Sequence, residues 1–270
     1  DFDRLLFPNF TYSHPVLGTI ADIREITAKD VSDFYSSYYT PSNAVLSIAG
    51  QIDKSKVRQL LEKYFSTIPM GNNPPSPSVE NLPKIDETVQ TIINPLAPSP
   101  AYHLGYQIAP RYSDDYYPLA VIEYILLRGE TSRLHRRLVA KDRTAIHLSG
   151  GIERKVRHTA FKIFVRINNE IMRERSQKAL FSEINKLKST MIPEQELNKS
   201  KNMLKMDYLM QHGTVLDKAI FLAEKNLEAD EQAGWSDELD RYLSVTGYDI
   251  LRTMNKYFDD GRIILDIKIK

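Results

Sequence analysis

Ile26-Thr27-Ala28-Lys29-Asp30-Val31, near the start of the chain, is answered 219 positions later by Val245-Thr246-Gly247-Tyr248-Asp249-Ile250. The same offset sets Tyr38-Tyr39 against Tyr257-Phe258, and Val45-Leu46-Ser47-Ile48 against Ile264-Leu265-Asp266-Ile267. Thr27 and Thr246 each precede an acid by three residues, the spacing of a capping box. The pairs Ile26/Val31 and Val245/Ile250 have the spacing of a hydrophobic staple. Each copy therefore predicts a helix start, a helix and a strand. Cap, staple, aromatic pair and strand in one register predict a duplication. If the second copy closes a domain, so does the first. The expected organisation is the end of one repeat followed by one nearly complete repeat, with about 150 residues of the first repeat lying ahead of the chain.

Composition fits a piece of a globular protein. The 270 residues are 42% hydrophobic and 26% charged, enough for one or two cores. Lys and Arg number 36 against 35 Asp and Glu, a formal net charge of +1, so neither nucleic-acid binding nor membrane insertion is expected. With zero cysteines, disulfides and thiolate metal sites are excluded.

Working outward from the first copy, residues 1–18 read as irregular chain, and a helix is predicted from Thr27 to about Tyr39, stopped by Pro41. A strand is predicted over Ala44 to Ala49. A helix capped by Asp53 follows, with Val57, Leu60, Leu61, Tyr64 and Phe65 on one face. Proline and glycine crowd residues 69–83, which read as a linker. Beyond it, strands are predicted near 88–93 and where Tyr102, Leu104, Tyr106 and Ile108 alternate. A helix near 114–127 and a second through Leu134 and Leu138 precede strands at 146–152 and 161–167. Helical stretches at 172–188, 193–212 and 215–227 lead to the repeated helix and strand. Strands this close in sequence leave no room for helical crossovers, so the expected class is α+β with a mainly antiparallel sheet.

His14-Pro15-Val16-Leu17-Gly18-Thr19, Phe34-Tyr35, Pro41-Ser42-Asn43-Ala44 and Ile48-Ala49-Gly50 together resemble the pitrilysin/insulinase family of zinc metallopeptidases. Leu127-Arg128-Gly129-Glu130-Thr131-Ser132-Arg133-Leu134, with Pro193-Glu194-Gln195-Glu196-Leu197 opening a long helix, is similar to that family's second repeat. The resemblance covers almost the whole chain. It implies tandem homologous metallopeptidase-like α+β domains, one partial and one complete. Residues 1–70 would end a first, catalytic-type repeat, 71–83 would link, and 84–270 would form a complete second, non-catalytic repeat.

The family's chemistry needs zinc held by the two histidines of H-x-x-E-H on a helix plus a downstream glutamate, with the motif's own glutamate activating water. The six histidines, His14, His103, His135, His147, His158 and His212, include no pair four apart. No metal, catalytic or cofactor-binding residue is therefore expected here, and zinc is expected only in the full-length parent. His14, in a loop beside Pro15, reads as a surface or packing residue. In the second repeat, the motif's two histidine places fall on Ala120 and Tyr124 around Glu123. The family's arginine and tyrosine, seven residues apart and used to steady the developing oxyanion, align with Val139 and Ile146. Arg136, Arg137 and Arg143 lie close by but read as solvated.

Other chemistries find less support. Gly150-Gly151 has no phosphate loop around it, and Gly129 is not followed by Lys-Ser/Thr. The basic run Arg154, Lys155, Arg157 and His158 reads as a turn between strands, and Tyr112, Tyr116, Tyr117 and Tyr124 as core at helical spacing. The resemblance implies part of a zinc-dependent metalloendopeptidase acting on peptides or unfolded segments. On that reading this chain is an inactive domain that helps enclose a peptide chamber, in a homo- or heterodimer with a second family subunit. The alternative is a non-catalytic scaffold or assembly subunit, like the cytochrome bc core proteins.

Overall fold

The computed structural model describes residues 2–74, 82–153, 155, 158–228 and 235–269. The chain opens with helices α1 (Phe2–Leu6), α2 (Ile20–Glu25), α3 (Ala28–Tyr38) and α4 (Lys54–Phe65). Strands β1 (Thr88–Ile93) and β2 (Ala101–Ile108), helix α5 (Tyr116–Leu126) and a π-helical segment (His135–Lys141) follow. Strands β3 (Ala145–Glu153) and β4 (Thr159–Ile167) lead to helices α6 (Arg173–Ser189), α7 (Glu194–Gln211), α8 (Val215–Glu228) and α9 (Trp235–Ser244). Helix α10 (Gly247–Tyr257) and strand β5 (Arg262–Lys268) close it. Among the described residues no helix is long and apolar enough to cross a membrane.

These elements fall into two compact units that interleave in sequence. Within the described residues, one comprises 2–13, 82–208 and 235–269, the other 14–74 and 209–228. The sequence reading had divided the chain at 71–83, and residues 75–81 of that linker lie outside the described residues.

The first unit is built on a five-stranded sheet of order β1-β5-β2-β4-β3. Only β1 and β5 run parallel, and the other three pairings are antiparallel, so the sheet is mainly antiparallel as expected. Alternation decides what each strand buries. Tyr102, Leu104 and Tyr106 of β2 and Phe161, Ile163, Val165 and Ile167 of β4 join one core with α5, α6 and α10. The opposite sheet face carries a smaller cluster in which Leu6 and Phe7 pack with Ile85, Ala160 and Ile263. A Cβ added at Gly105 of β2 would come within 2.7 Å of the Phe2 ring, so the lack of a side chain there admits α1 to the sheet. Both α1 and α2 fall where irregular chain had been expected, or in the gap before the first predicted helix. Each is shorter than seven residues, too little for a periodic signal. Helix α9 lies where the sequence reading predicts no helix.

Arg173 fastens α6 to this sheet. Its Nη1 donates to the Ala101 carbonyl at 2.8 Å and the Asp266 carboxylate at 2.7 Å, and its Nη2 to the Ile267 carbonyl at 2.8 Å. Asp115, just ahead of α5, is held in the same manner by α10. Arg252 Nη1, Lys256 Nζ and the Tyr257 hydroxyl donate to its carboxylate at 2.6, 2.5 and 2.8 Å. Burial alone would raise the Asp115 pKa, but these three donors outweigh it and bring it down to about 2.

Where the sequence reading expects an α-helix through Leu134 and Leu138, the backbone is π-helical from His135 onward. The Asp142 amide donates to the Arg137 carbonyl five residues back at 2.9 Å, and Arg137 Nε reaches the Asp142 carboxylate at 2.8 Å.

The repeated helices match down to their ends. Helices α3 and α10 are both 11 residues long, and their caps Thr27 and Thr246 share φ of −101° with ψ of 162° and 167°. Both form the capping box with Asp30 and Asp249. At the other end, the amides of Tyr39 and Phe258 donate to the carbonyls of Tyr35 and Met254. The strand is where the copies part. Residues 262–268 form β5 between β1 and β2, whereas no strand forms over 44–49, correcting the expectation. A strand is stabilised by its ladder, and among the described residues 44–49 pairs with none. The apolar residues of this unit are correspondingly uncovered: Phe34 is 56% exposed, Tyr35 62% and Leu46 57%.

Candidate functional site

The positions that the sequence reading aligns with the family's catalytic residues lie on α5, the π-helical segment and β3. Helix α5 is apolar on nearly every side, with Leu119, Val121, Ile122 and Leu126 fully buried, so it runs inside the domain. Its single acid, Glu123, is buried too. One carboxylate oxygen accepts from Arg128 Nε at 2.7 Å and contacts an Arg128 terminal nitrogen, while the other accepts from the Ile152 amide at 3.0 Å. Glu123 therefore ties the end of α5 to β3, and both oxygens are committed.

Two adjacent glycines of β3 leave room for their neighbours. Gly151 has φ of +141°, and an added Cβ would lie 2.5 Å from the Glu123 carboxylate. Gly150 has φ of +143°, and its Cβ would meet the Lys162 carbonyl of β4 at 2.2 Å. Gly151 thus makes room for the Glu123 side chain and Gly150 for the β4 backbone.

Zinc does not fit this site. Ala120 offers no donor atom, and the Tyr124 hydroxyl donates to Asp207 at 2.8 Å. Burial, then that contact, raises the Tyr124 pKa, so the phenol stays protonated. No group of three or more His, Cys, Asp or Glu residues with metal-binding geometry occurs among the described residues. The positions aligned with the oxyanion pair carry the apolar Val139, which is half-buried against the core, and Ile146, which is 46% exposed.

The histidines are dispersed. His14 is exposed, and His135 Nδ1 lies 3.1 Å from the Glu130 carbonyl. His103 packs between Phe2 and Phe164, at 5.0 and 4.6 Å between ring centres, and His147 lies 6.2 Å from Phe164. Burial, then the Lys162 ammonium, lowers the His103 pKa. His158 stands edge-on to Phe10, and His212 to Phe221.

The basic run sits in the connection between β3 and β4. Lys155 lies over the rings of Phe7 and Tyr12 at 4.9 and 4.6 Å, while Arg154 and Arg157 lie outside the described residues. Tyr116 and Tyr117 are buried in the core. Arg143 takes a left-handed conformation, φ of 53°, and its carbonyl accepts from Asn168. Arg136 and Lys141 are exposed.

A sequence profile described as "Peptidase M16 inactive domain" matches residues 25–204. The chain belongs to the M16 peptidase family. Over 256 residues it is 27% identical to the zinc protease PqqE of Helicobacter pylori, covering 92% of this chain and 56% of that protein. It thus spans little more than half of that relative. A shorter stretch of 59 residues, 22% of this chain and 13% of the relative, is 36% identical to the mitochondrial-processing peptidase β subunit of Saccharomyces cerevisiae. Among solved structures, a protease from Helicobacter pylori superposes with a TM-score of 0.87 at 26% identity, over 99% of this chain and 65% of the other. A chain of complex III2 from Candida albicans shares the fold, with a TM-score of 0.80 at 12% identity over 99% and 65%.

For this M16 chain, the sequence placed Ala120, Glu123 and Tyr124 correctly on one helix. It did not reveal what Glu123 holds, nor the Asp115 and Arg173 clusters. Gly150-Gly151 was the visible signal, and its partner lies 28 residues upstream.

Proposed function

We propose that this chain is the inactive-domain part of a zinc-dependent metalloendopeptidase that acts on peptides or unfolded protein segments. In this reading, residues 84–270 are the non-catalytic second repeat, which helps enclose the peptide, and residues 1–70 end a catalytic-type first repeat that holds zinc outside this chain. The parent works as a homo- or heterodimer with a second family subunit. The observation that carries the reading is the alignment of 92% of the chain, at 27% identity, with 56% of a zinc protease. The filling of the motif positions by Ala120 and Tyr124, and of the oxyanion positions by Val139 and Ile146, supports a non-catalytic role for the second repeat.

The likeness to complex III2 favours a second reading, a non-catalytic assembly subunit. Hydrolysis of an unfolded peptide by the parent protein separates the two. Chelator-sensitive turnover by the parent, with none by the 270-residue chain, is the expected result. Turnover by the 270-residue chain itself would overturn the division of labour, and an inert parent that purifies with a partner subunit would favour the scaffold.

A further inference from the structure

One cleft is strongly cationic in a chain whose formal net charge is only +1. It measures about 950 Å³ and lies between the π-helical segment, α6 and the start of α7. Its walls carry Arg133, Arg136, Arg137, Lys141, Lys186 and Lys199 against only Glu183 and Glu196. The acids and some of the cations are already engaged. Arg133 makes a two-point contact with Glu196 at 2.8 and 2.7 Å, Lys186 reaches Glu183 at 2.6 Å, and Arg137 is paired with Asp142. Lys199 donates to the Thr131 hydroxyl and carbonyl at 3.1 Å. The exposed Arg136 and Lys141 have no carboxylate partner among the described residues. Through Arg137 the cleft adjoins a second depression of about 420 Å³, where Lys178 is paired with Glu174 and Arg137 with Asp142, and Arg175 adds a further cation. The positive charge therefore forms a track rather than a point.

We propose that this track binds an acidic peptide segment, with Arg136 and Lys141 supplying the open cationic positions. The proposal rests on the function proposed above only in taking a polypeptide as the ligand. With Arg133, Arg137 and Lys186 paired to carboxylates, Arg136, Lys141 and Lys199 leave a net positive field that an anion entering the cleft neutralises, and the guanidinium fork of Arg136 matches a carboxylate in two-point geometry. The lining favours carboxylates spread along a chain over a nucleotide. Among the described residues, neither an aromatic side chain to stack on a base nor a glycine lines either depression. The paired Arg133 and Glu196 are less than a quarter exposed, which gives the cleft a fixed floor beneath its two open cations.

The test is fluorescence anisotropy of the 270-residue chain with a labelled peptide alternating glutamate and glycine, and with its lysine counterpart. The acidic peptide alone should bind, and its affinity should fall steeply between about 50 and about 500 mM salt. Arg136→Glu with Lys141→Glu should weaken binding at least about tenfold, because attraction becomes repulsion at the two open positions. Lys205→Glu with Lys218→Glu, an equal change of net charge at exposed sites outside the cleft, should leave it nearly unchanged. Equal losses in both double variants would mean bulk charge alone and overturn the proposal, as would undiminished binding by the cleft variant. Binding of inorganic triphosphate without the peptide would reassign the track to phosphates. Since no hydrolysis is measured, failure of the protease reading leaves this result standing.

Discussion

The Glu123 carboxylate accepts a hydrogen bond from the Ile152 amide at 3.0 Å, across 29 positions of sequence, at the place that the family resemblance sets against the motif's water-activating acid. Here the acid joins a helix to a strand. Replacing it by alanine leaves that amide and Arg128 without their acceptor and should cost on the order of 2 kcal/mol. Gly151→Ala meets both the carboxylate and a backbone conformation reserved for glycine, and should cost on the order of 3 kcal/mol. With Glu123 already alanine, the second substitution loses its clash, so the two costs should sum to more than the double variant shows. Urea denaturation of the four proteins measures this, and simple additivity would mean the two residues are not in contact.

Acid should loosen the junction of α5 with α10. The Asp115 pKa is about 2 in the folded protein, below the ordinary aspartate value of 3.8. Its stabilisation is therefore complete above about pH 4 and is lost as pH falls toward 2. Asp115→Asn should lower stability at neutral pH by about 2 kcal/mol and flatten the fall between pH 4 and 2. Thermal melts across that range would refute the assignment if wild type and variant stayed parallel.

Arg173→Met should be among the most damaging single changes in the sheet unit, about 3 kcal/mol or more, because it removes the cation from the buried Asp266 carboxylate, leaving it the Gln177 amide, and takes a donor from two carbonyls. A second change, Asp266→Asn, removes the unpaired charge and should recover part of the loss. Guanidinium melts of the single and double variants decide it, and no recovery would place the damage in the carbonyl contacts alone.

The matched caps make a comparative prediction. Thr246→Ala should cost about 1 kcal/mol, and Thr27→Ala should weaken its own helix at the equivalent end. Amide hydrogen exchange should accelerate first at Asp249 in one variant and at Asp30 in the other, since these amides donate to the two threonines. Acceleration at unrelated positions would break the correspondence between the copies.

What the sequence carried on its own was local. Thr27 and Thr246 announce helix starts because a cap is a contact over three residues, and Tyr102 to Ile108 announce a buried strand because alternation needs no knowledge of the partner. Ala120 and Tyr124 could likewise be denied a zinc role from side-chain chemistry alone. The tertiary structure decided everything that depended on a distant neighbour. It set β5 between β1 and β2 and left residues 44–49 without a strand, although the two segments read alike, because a strand is completed by the chain beside it. It turned Gly151 from an unexplained glycine into the seat of Glu123 and gathered Arg133, Arg136 and Lys199 into one cleft. Caps and alternation act within a turn or a strand, whereas pairing, burial and field depend on what folding brings alongside.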